Sequence, residues 1–232
     1  MENEKFRATI FEDKDILIVN KPSGLLTVAA PNDKEENLSA LLNDLNLRQN
    51  NTFKIFPCHR LDKETSGVLI FAKGKAVQQT IMDQFRAKNV NKVYIAFVQG
   101  LINKPSGVLK SYIQGSWPYR RNEQKKLAIT KFKLISCGEN FSVLKLEPIT
   151  GRTNQIRIQF KDIGHPLVGE RRFVMARDWP VKFKRVALHA FSVTFTHPTK
   201  NVPVTFNAEL PRDMINFLIN NGIDDFNNKF LL

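Results

Sequence analysis

Only two cysteines, Cys58 and Cys137, occur in 232 residues. Two thiols make no disulfide framework, and they read as the reduced thiols of a cytosolic chain. Histidine is nearly as scarce: His59, His165, His189 and His197 are the whole set. No two of them stand four residues apart and no Cys-x-x-Cys occurs, so structural zinc has no ligand set. The GxxxxGK[ST] phosphate loop, the GxGxxG fingerprint and the GxSxG elbow are all missing. ATP, dinucleotide and serine-hydrolase chemistry therefore lose their anchors. Long hydrophobic runs are missing too. "VLIFA" is among the longest, far short of the roughly 20 residues that span a bilayer. The opening "MENEKFRATIFEDKD" is charged and has no apolar signal-peptide core. The expectation is a soluble cytoplasmic protein, a monomer, with no structural zinc, ATP or dinucleotide site.

Acidic side chains are also in short supply, with 22 Asp+Glu against 35 Lys+Arg, a formal net of +13. Such a surplus suits either a well-solvated basic surface or a polyanionic partner, above all nucleic acid. No long Lys/Arg-rich amphipathic helix supports an anionic membrane surface instead.

What is present is an ordinary globular balance, 42% hydrophobic and 25% charged. It allows a sizeable core in one large domain or two small ones and excludes wholesale disorder. Strand patterns run through "DILIVNKPSG", "GVLIFAK" and "KVYIAFVQG". "LAITKFKLIS" and "FSVLKLEP" flank "CGEN" as a hairpin. "RVALHAFSVTFTH" and "VPVTFNAEL" follow as further strands. Helical spacing marks "NLSALLNDLNL", with Asn37 or Ser39 as cap, then "KAVQQTIMDQFRAK" and "PRDMINFLIN" with Pro211 in its first turn. The mixture predicts an α+β fold on a mixed, mainly antiparallel sheet. The segment 102–126 reads as a turn-rich basic crossover or RNA-touching loop.

Three residues raise a chemical question. Asp62 lies in the dense polar turn "HRLDKETSG". Asp in a turn commonly bonds local backbone, yet a fixed carboxylate can also serve chemistry. In "TGRTNQIRIQF", read as a strand, Ile156, Ile158 and Phe160 face a core while Gln155, Arg157 and Gln159 share the other face. That face is either solvated or a rigid base from which Arg157 orients a carboxylate. Tyr94, on a strand apolar on both faces, is either a core tyrosine with its hydroxyl satisfied or a functional one that stacks on a base or moves a proton. Glu64, two residues beyond Asp62, reads as solvated surface.

Taken together, the blocks resemble the RNA pseudouridine synthases of the RluA type. The resemblance runs from roughly Ile16 to Arg212. It is carried by "NKPSGLLTV" (20–28), "HRLDKETSGVLIFAK" (59–73), "KVYIAFVQG" (92–100), "GRTNQIRIQF" (151–160), "GHPLVGE" (164–170) and "RVALHAFSVTFTHP" (185–198). It implies that family's fold, with flanking helices and two halves meeting at a central cleft, in a single catalytic domain over 1–232. No separate N-terminal RNA-binding module is expected, and the resemblance implies that no metal and no organic cofactor is needed. It also implies isomerisation of uridine to pseudouridine in large-subunit ribosomal RNA, transfer RNA or both. Asp62 would be the catalytic aspartate, on a mount of Thr65, Ser66 and Gly67. Tyr94 would stack on the flipped uracil, and Arg157 would pair with Asp62 and hold it ionised. Arg60 would contact the RNA. Asn154 and Gln159 stand where the family often has histidine.

The +13 charge then assigns phosphate contact to basic clusters. They are "SWPYRRNEQKK" (116–126), with Arg120, Arg121, Lys125 and Lys126; "ERR" (170–172), with Arg171 and Arg172; and "KFKR" (182–185). Trp117, Tyr119 and Trp179 are candidate stacking rings or loop anchors. A non-catalytic RNA-binding protein of the same fold is the competing expectation. A hydrolytic nucleosidase lacks a second placed carboxylate.

Overall fold

The computed structural model describes residues 8–29, 35–114, 124–175 and 179–224. Arg120, Arg121, Trp117 and Tyr119 lie outside them. The elements run β1 (Thr9–Glu12), β2 (Ile16–Lys21), α1 (Leu38–Arg48), β3 (Ile55–Pro57), β4 (Ser66–Lys73), α2 (Lys75–Arg86) and β5 (Asn91–Gln99). They continue as β6 (Ser106–Ile113), β7 (Lys126–Cys137), β8 (Phe141–Pro148), α3 (Gln155–Asp162), β9 (Leu188–Thr196), β10 (Pro203–Asn207) and α4 (Arg212–Asn220). Two compact units result. One holds Met1–Asn91 with Ala190–Glu209, the other Lys92–His189 with Leu210–Leu232. The α+β expectation is met, and the named strand pairs are antiparallel.

In the first unit β4 lies between β2 and β9, with β1 beyond β2, β3 also on β4 and β10 on β9. Val68 to Ala72 are at most 1% exposed. The unbroken run "VLIFA" is what a strand covered on both faces requires. Gly67 has φ +119°, and a Cβ there would stand 2.2 Å from the Ala190 carbonyl oxygen, so β4 and β9 approach this closely only with glycine. The Asn37 side chain caps α1 by accepting from the Ala40 N–H. Asp13 closes the β1–β2 turn by accepting from the Asp15 and Ile16 N–H groups. It also accepts from buried His197 at 2.9 Å.

In the second unit the order is β5-β8-β7-β6. Part of the segment expected to be a loop is in fact β6, paired along its whole length with β7. One sheet face carries Tyr94, Ala96 and Val98 from β5, as alternation predicts, together with Leu144, Leu146 and Phe132. Ile156 and Phe160 of α3 pack on that face. Phe217 of α4 packs on the other, against Phe97 and Phe141.

The strand expected over "TNQIRIQF" is a two-turn helix, α3. Alternation of short apolar residues does not separate a strand from a helix whose i and i+4 residues are both buried. Tertiary contacts decide the matter. Asn154 adopts φ +54° and redirects the chain. The Gln155 side chain then locks the first turn, accepting from the Thr150 hydroxyl and the Arg152 N–H and donating to Ile129 O and Thr130 Oγ1. Among the described residues, no helix is long and apolar enough to cross a membrane.

Candidate active site

The turn that carries Asp62 is held from outside itself. Each carbonyl from Leu61 to Glu64 accepts a hydrogen bond. Leu61 O accepts from the Thr27 hydroxyl at 3.0 Å, and Thr27 Oγ1 in turn accepts from the Leu61 N–H at 3.2 Å. Asp62 O accepts from the Thr65 N–H at 3.0 Å. Lys63 O accepts from the Gly24 N–H at 2.8 Å and from Lys21 Nζ at 3.2 Å. Glu64 O accepts from the Ser23 hydroxyl at 2.6 Å. Lys21 is fully buried, and its ammonium also bonds Pro22 O and Leu25 O. With its backbone committed on every side, the turn presents the half-buried Asp62 side chain from a fixed position.

The expected mount is thus only partly right. Thr65 and Ser66 are buried and Gly67 is sterically required, but Lys21, Ser23, Gly24 and Thr27 do most of the holding. The signal was a lysine closing the apolar run "ILIVNK". A buried lysine must spend its three donors on acceptors, and here they are carbonyls of the neighbouring turns. Glu64 is half-buried rather than surface.

Arg157 projects from α3, not from a strand, and is 4% exposed. Its guanidinium holds Glu170 in a fork: Nε to Oε2 at 2.6 Å and Nη2 to Oε1 at 2.8 Å. Nη1 donates to Asn154 Oδ1 at 3.4 Å. Glu170 Oε1 also accepts from the N–H groups of Arg171, Arg172 and Phe173. Burial pushes the Glu170 carboxyl upward, but Arg157 and the Arg172 and Phe173 N–H groups outweigh it and hold the pKa below the ordinary value. Gly169 sets this up, because at φ +80° a Cβ would stand 1.8 Å from Arg185 O. Reading "ERR" as one surface cluster missed Glu170, a buried counter-ion, although Arg171 and Arg172 are exposed as expected.

Tyr94 is half-buried against the cluster that includes Ile156 and Phe160, so it shares a sheet face with α3. Gln159 spends its whole amide inside. Its oxygen accepts from the Thr130 hydroxyl, and its nitrogen donates to Leu109 O, Ser111 Oγ and Ala128 O. Lys92, two residues before Tyr94, has its pKa lowered by burial. Arg60, Lys125 and Lys126 are exposed, and Trp179 is half-buried. Arg185 of "KFKR" is not a surface cation: it forms a fork with Asp213 at 2.7 and 3.0 Å and donates to Val186 O and Leu188 O. Asp13, Asp15 and His197 converge closely enough to suggest a metal site. Their groups also bond one another's neighbours: Lys200 donates to Asp13 and the Thr199 hydroxyl to Asp15.

The α+β scaffold carries the expected groups, Asp62 on an anchored turn of the first unit and Tyr94 and the buried Arg157 in the second. The fold agrees. A human RNA pseudouridylate synthase domain containing protein 4 structure superposes with a TM-score of 0.76 at 23% identity, covering 93% of each chain. The domain containing protein 1 structure gives 0.69 at 25% identity, over 88% of this chain and 83% of that one.

Residues 15–162 match the RNA pseudouridylate synthase family, and the chain belongs to it. The dual-specificity RNA pseudouridine synthase RluA of Yersinia pestis is 35% identical over 208 residues, 86% of this chain and 97% of its own. The Haemophilus influenzae RluA is 33% identical over 213 residues, 89% and 94%. The uncharacterized RNA pseudouridine synthase YlyB of Bacillus subtilis is 33% identical over 218 residues, 90% and 71%. The chain is an isomerase of the RluA type that converts uridine to pseudouridine in RNA.

Proposed function

We propose that Asp62 is the catalytic carboxylate, that Tyr94 stacks on the target uracil, and that Arg157 supplies the cation keeping the catalytic carboxylate ionised. The observation that carries this reading is the turn 61–64, whose four carbonyls are all bonded around an aspartate left half-exposed. A lone turn residue needs no such anchorage, whereas a carboxylate that must meet one atom of a flipped nucleotide does.

The isomerisation breaks N1–C1′ and forms C5–C1′. The C5 proton leaves to solvent and N1 gains one, so the composition is unchanged. The role of the protein is to hold the freed base, exclude water and keep one carboxylate charged. Arg157 suits the last task because Glu170 fixes its orientation without help from the substrate. Arg60, Lys125, Lys126, Arg171 and Arg172 supply exposed cations for the RNA backbone.

The proposed substrates are large-subunit ribosomal RNA and transfer RNA, in the cytoplasm. The sequence resemblance and the dual specificity in the names of the RluA relatives support this reading. Mapping pseudouridines in total RNA with and without the gene tests it. Sites lost from both RNA classes support dual specificity, and loss from one class alone reduces the proposal to that class. Tritium release from C5-labelled RNA tests the residue roles: Asp62→Asn abolishes release while RNA binding survives.

A further inference from the structure

We propose that the open face of the β6–β7–β8 sheet is a second RNA-contact surface. Lys110, Lys131, Lys133 and Lys145 grip the phosphates of a single-stranded segment outside the target nucleotide, and Tyr112 stacks on one of its bases.

Register places these side chains together. Ser106 pairs with Lys133 and Lys133 with Lys145; Val108 pairs with Lys131 and Lys131 with Glu147; Tyr112 pairs with Leu127. Directly paired residues share a face. The opposite face is closed by α3 through Gln159, Ile156 and Phe160. Among the described residues, α4 meets this face at its far end, where Phe217 packs against Phe97 and Phe141.

The remainder is unusual for a sheet face open to solvent. Tyr112 is 68% exposed, Val108 51% and Leu127 39%. Four lysines surround them against one glutamate, Glu147, and none of the five has an ion-pair partner among the described residues. A shallow hollow of about 300 Å³ opens among Ser106, Val108, Lys131, Lys133, Lys145 and Glu147.

Four like charges on one small face repel each other, and a polyanion relieves that repulsion. A flat exposed ring with apolar neighbours adds a platform for a base, which lysines alone do not provide. The spacing along β7 also fits, because Lys131 and Lys133 lie about 6.8 Å apart on the same side of the strand. The chain acts on RNA, so RNA is the polyanion this surface meets. The proposal rests on that activity but not on the roles given to Asp62, Tyr94 and Arg157.

The test uses the full chain and a short fluorescein-labelled single-stranded RNA of mixed sequence. Lys131→Glu with Lys133→Glu weakens binding by about tenfold or more at physiological salt, and the slope of log affinity against log salt falls by about 0.7 per lysine lost. Tyr112→Ala weakens binding by at least about fivefold. The KM for C5-tritiated ribosomal RNA rises by similar factors while kcat holds. Ultraviolet crosslinking of wild type places Tyr112 in a crosslinked peptide. Lys131→Gln with Lys133→Gln gives the same direction of change and guards against misfolding of the charge-reversed form. Unchanged affinity and salt slope in both lysine pairs overturns the proposal, as does an effect confined to an acidic protein partner. If those variants bind as wild type while wild type still releases tritium, this surface is refuted and the enzymatic reading stands.

Discussion

Arg157 and Glu170 form a buried two-point ion pair, Nε to Oε2 at 2.6 Å and Nη2 to Oε1 at 2.8 Å, with both side chains at most 5% exposed. The arginine proposed to serve the reaction is therefore already held by a carboxylate of its own unit. Breaking a buried pair from one side leaves an uncompensated charge, so Glu170→Gln costs about 3 to 5 kcal/mol.

The pH dependence of that cost has a definite sign. The folded-state pKa of Glu170 lies below its ordinary 4.5. Its stabilisation is fully present above the unfolded value and is lost as pH falls through the folded one. Thermal melts of wild type and Glu170→Gln therefore differ most at neutral pH and converge in acid. A gap that stays constant into acid contradicts the assignment.

The anchorage of the Asp62 turn predicts a kinetic signature. Thr27→Val removes the hydroxyl that both donates to and accepts from Leu61. The expected loss is about 1 to 3 kcal/mol of stability. It is accompanied by a fall in kcat with KM for RNA nearly unchanged, because the turn loosens while the basic surface stays intact. A rise in KM at constant kcat would place Thr27 in RNA binding instead.

Two glycines separate backbone strain from steric clash. Gly24 and Gly67 both have positive φ, but a Cβ at Gly24 meets nothing within 4 Å while one at Gly67 meets the Ala190 backbone at 2.2 Å. Gly24→Ala costs only the left-handed penalty, about 1 to 2 kcal/mol. Gly67→Ala forces β4 and β9 apart and costs several times more. Denaturant midpoints of the two variants check the contrast.

The thiols differ in the same measurable way. Cys58 is buried and its thiol is pushed up to about 12, while Cys137 is exposed. Native protein reacts with one equivalent of a disulfide reagent, at Cys137, and Cys58 follows only on unfolding. Rapid reaction of both in the native state contradicts the burial of Cys58.

These elements also show what could be read from sequence. "VLIFAK" and "KVYIAFVQ" announced themselves as strands because near-continuous apolar residues fit only a buried one. The Asp62 turn was legible from its dense run of polar residues and the Tyr94 face from alternation along β5. α3 was not, because Gln155 and Asn154 decide its conformation through partners such as Ile129 and Thr130, more than twenty residues away in sequence. Lys21 and Glu170 were missed because charge in a sequence reads as surface. Only the fold reveals that one ammonium serves three carbonyls and one carboxylate serves an arginine and three N–H groups. β6 escaped because its exposed face mixes Ser106, Val108, Lys110 and Tyr112 and its inner face alternates small and apolar residues.

The carboxylate held by the 61–64 turn is the group proposed to perform the isomerisation. Tritium release from RNA labelled at uracil C5, measured for wild type and Asp62→Asn under single-turnover conditions, tests it most directly. Wild type releases tritium and Asp62→Asn releases none above background, with RNA affinity retained and no free uracil from either. Release by Asp62→Asn at a comparable rate would contradict it.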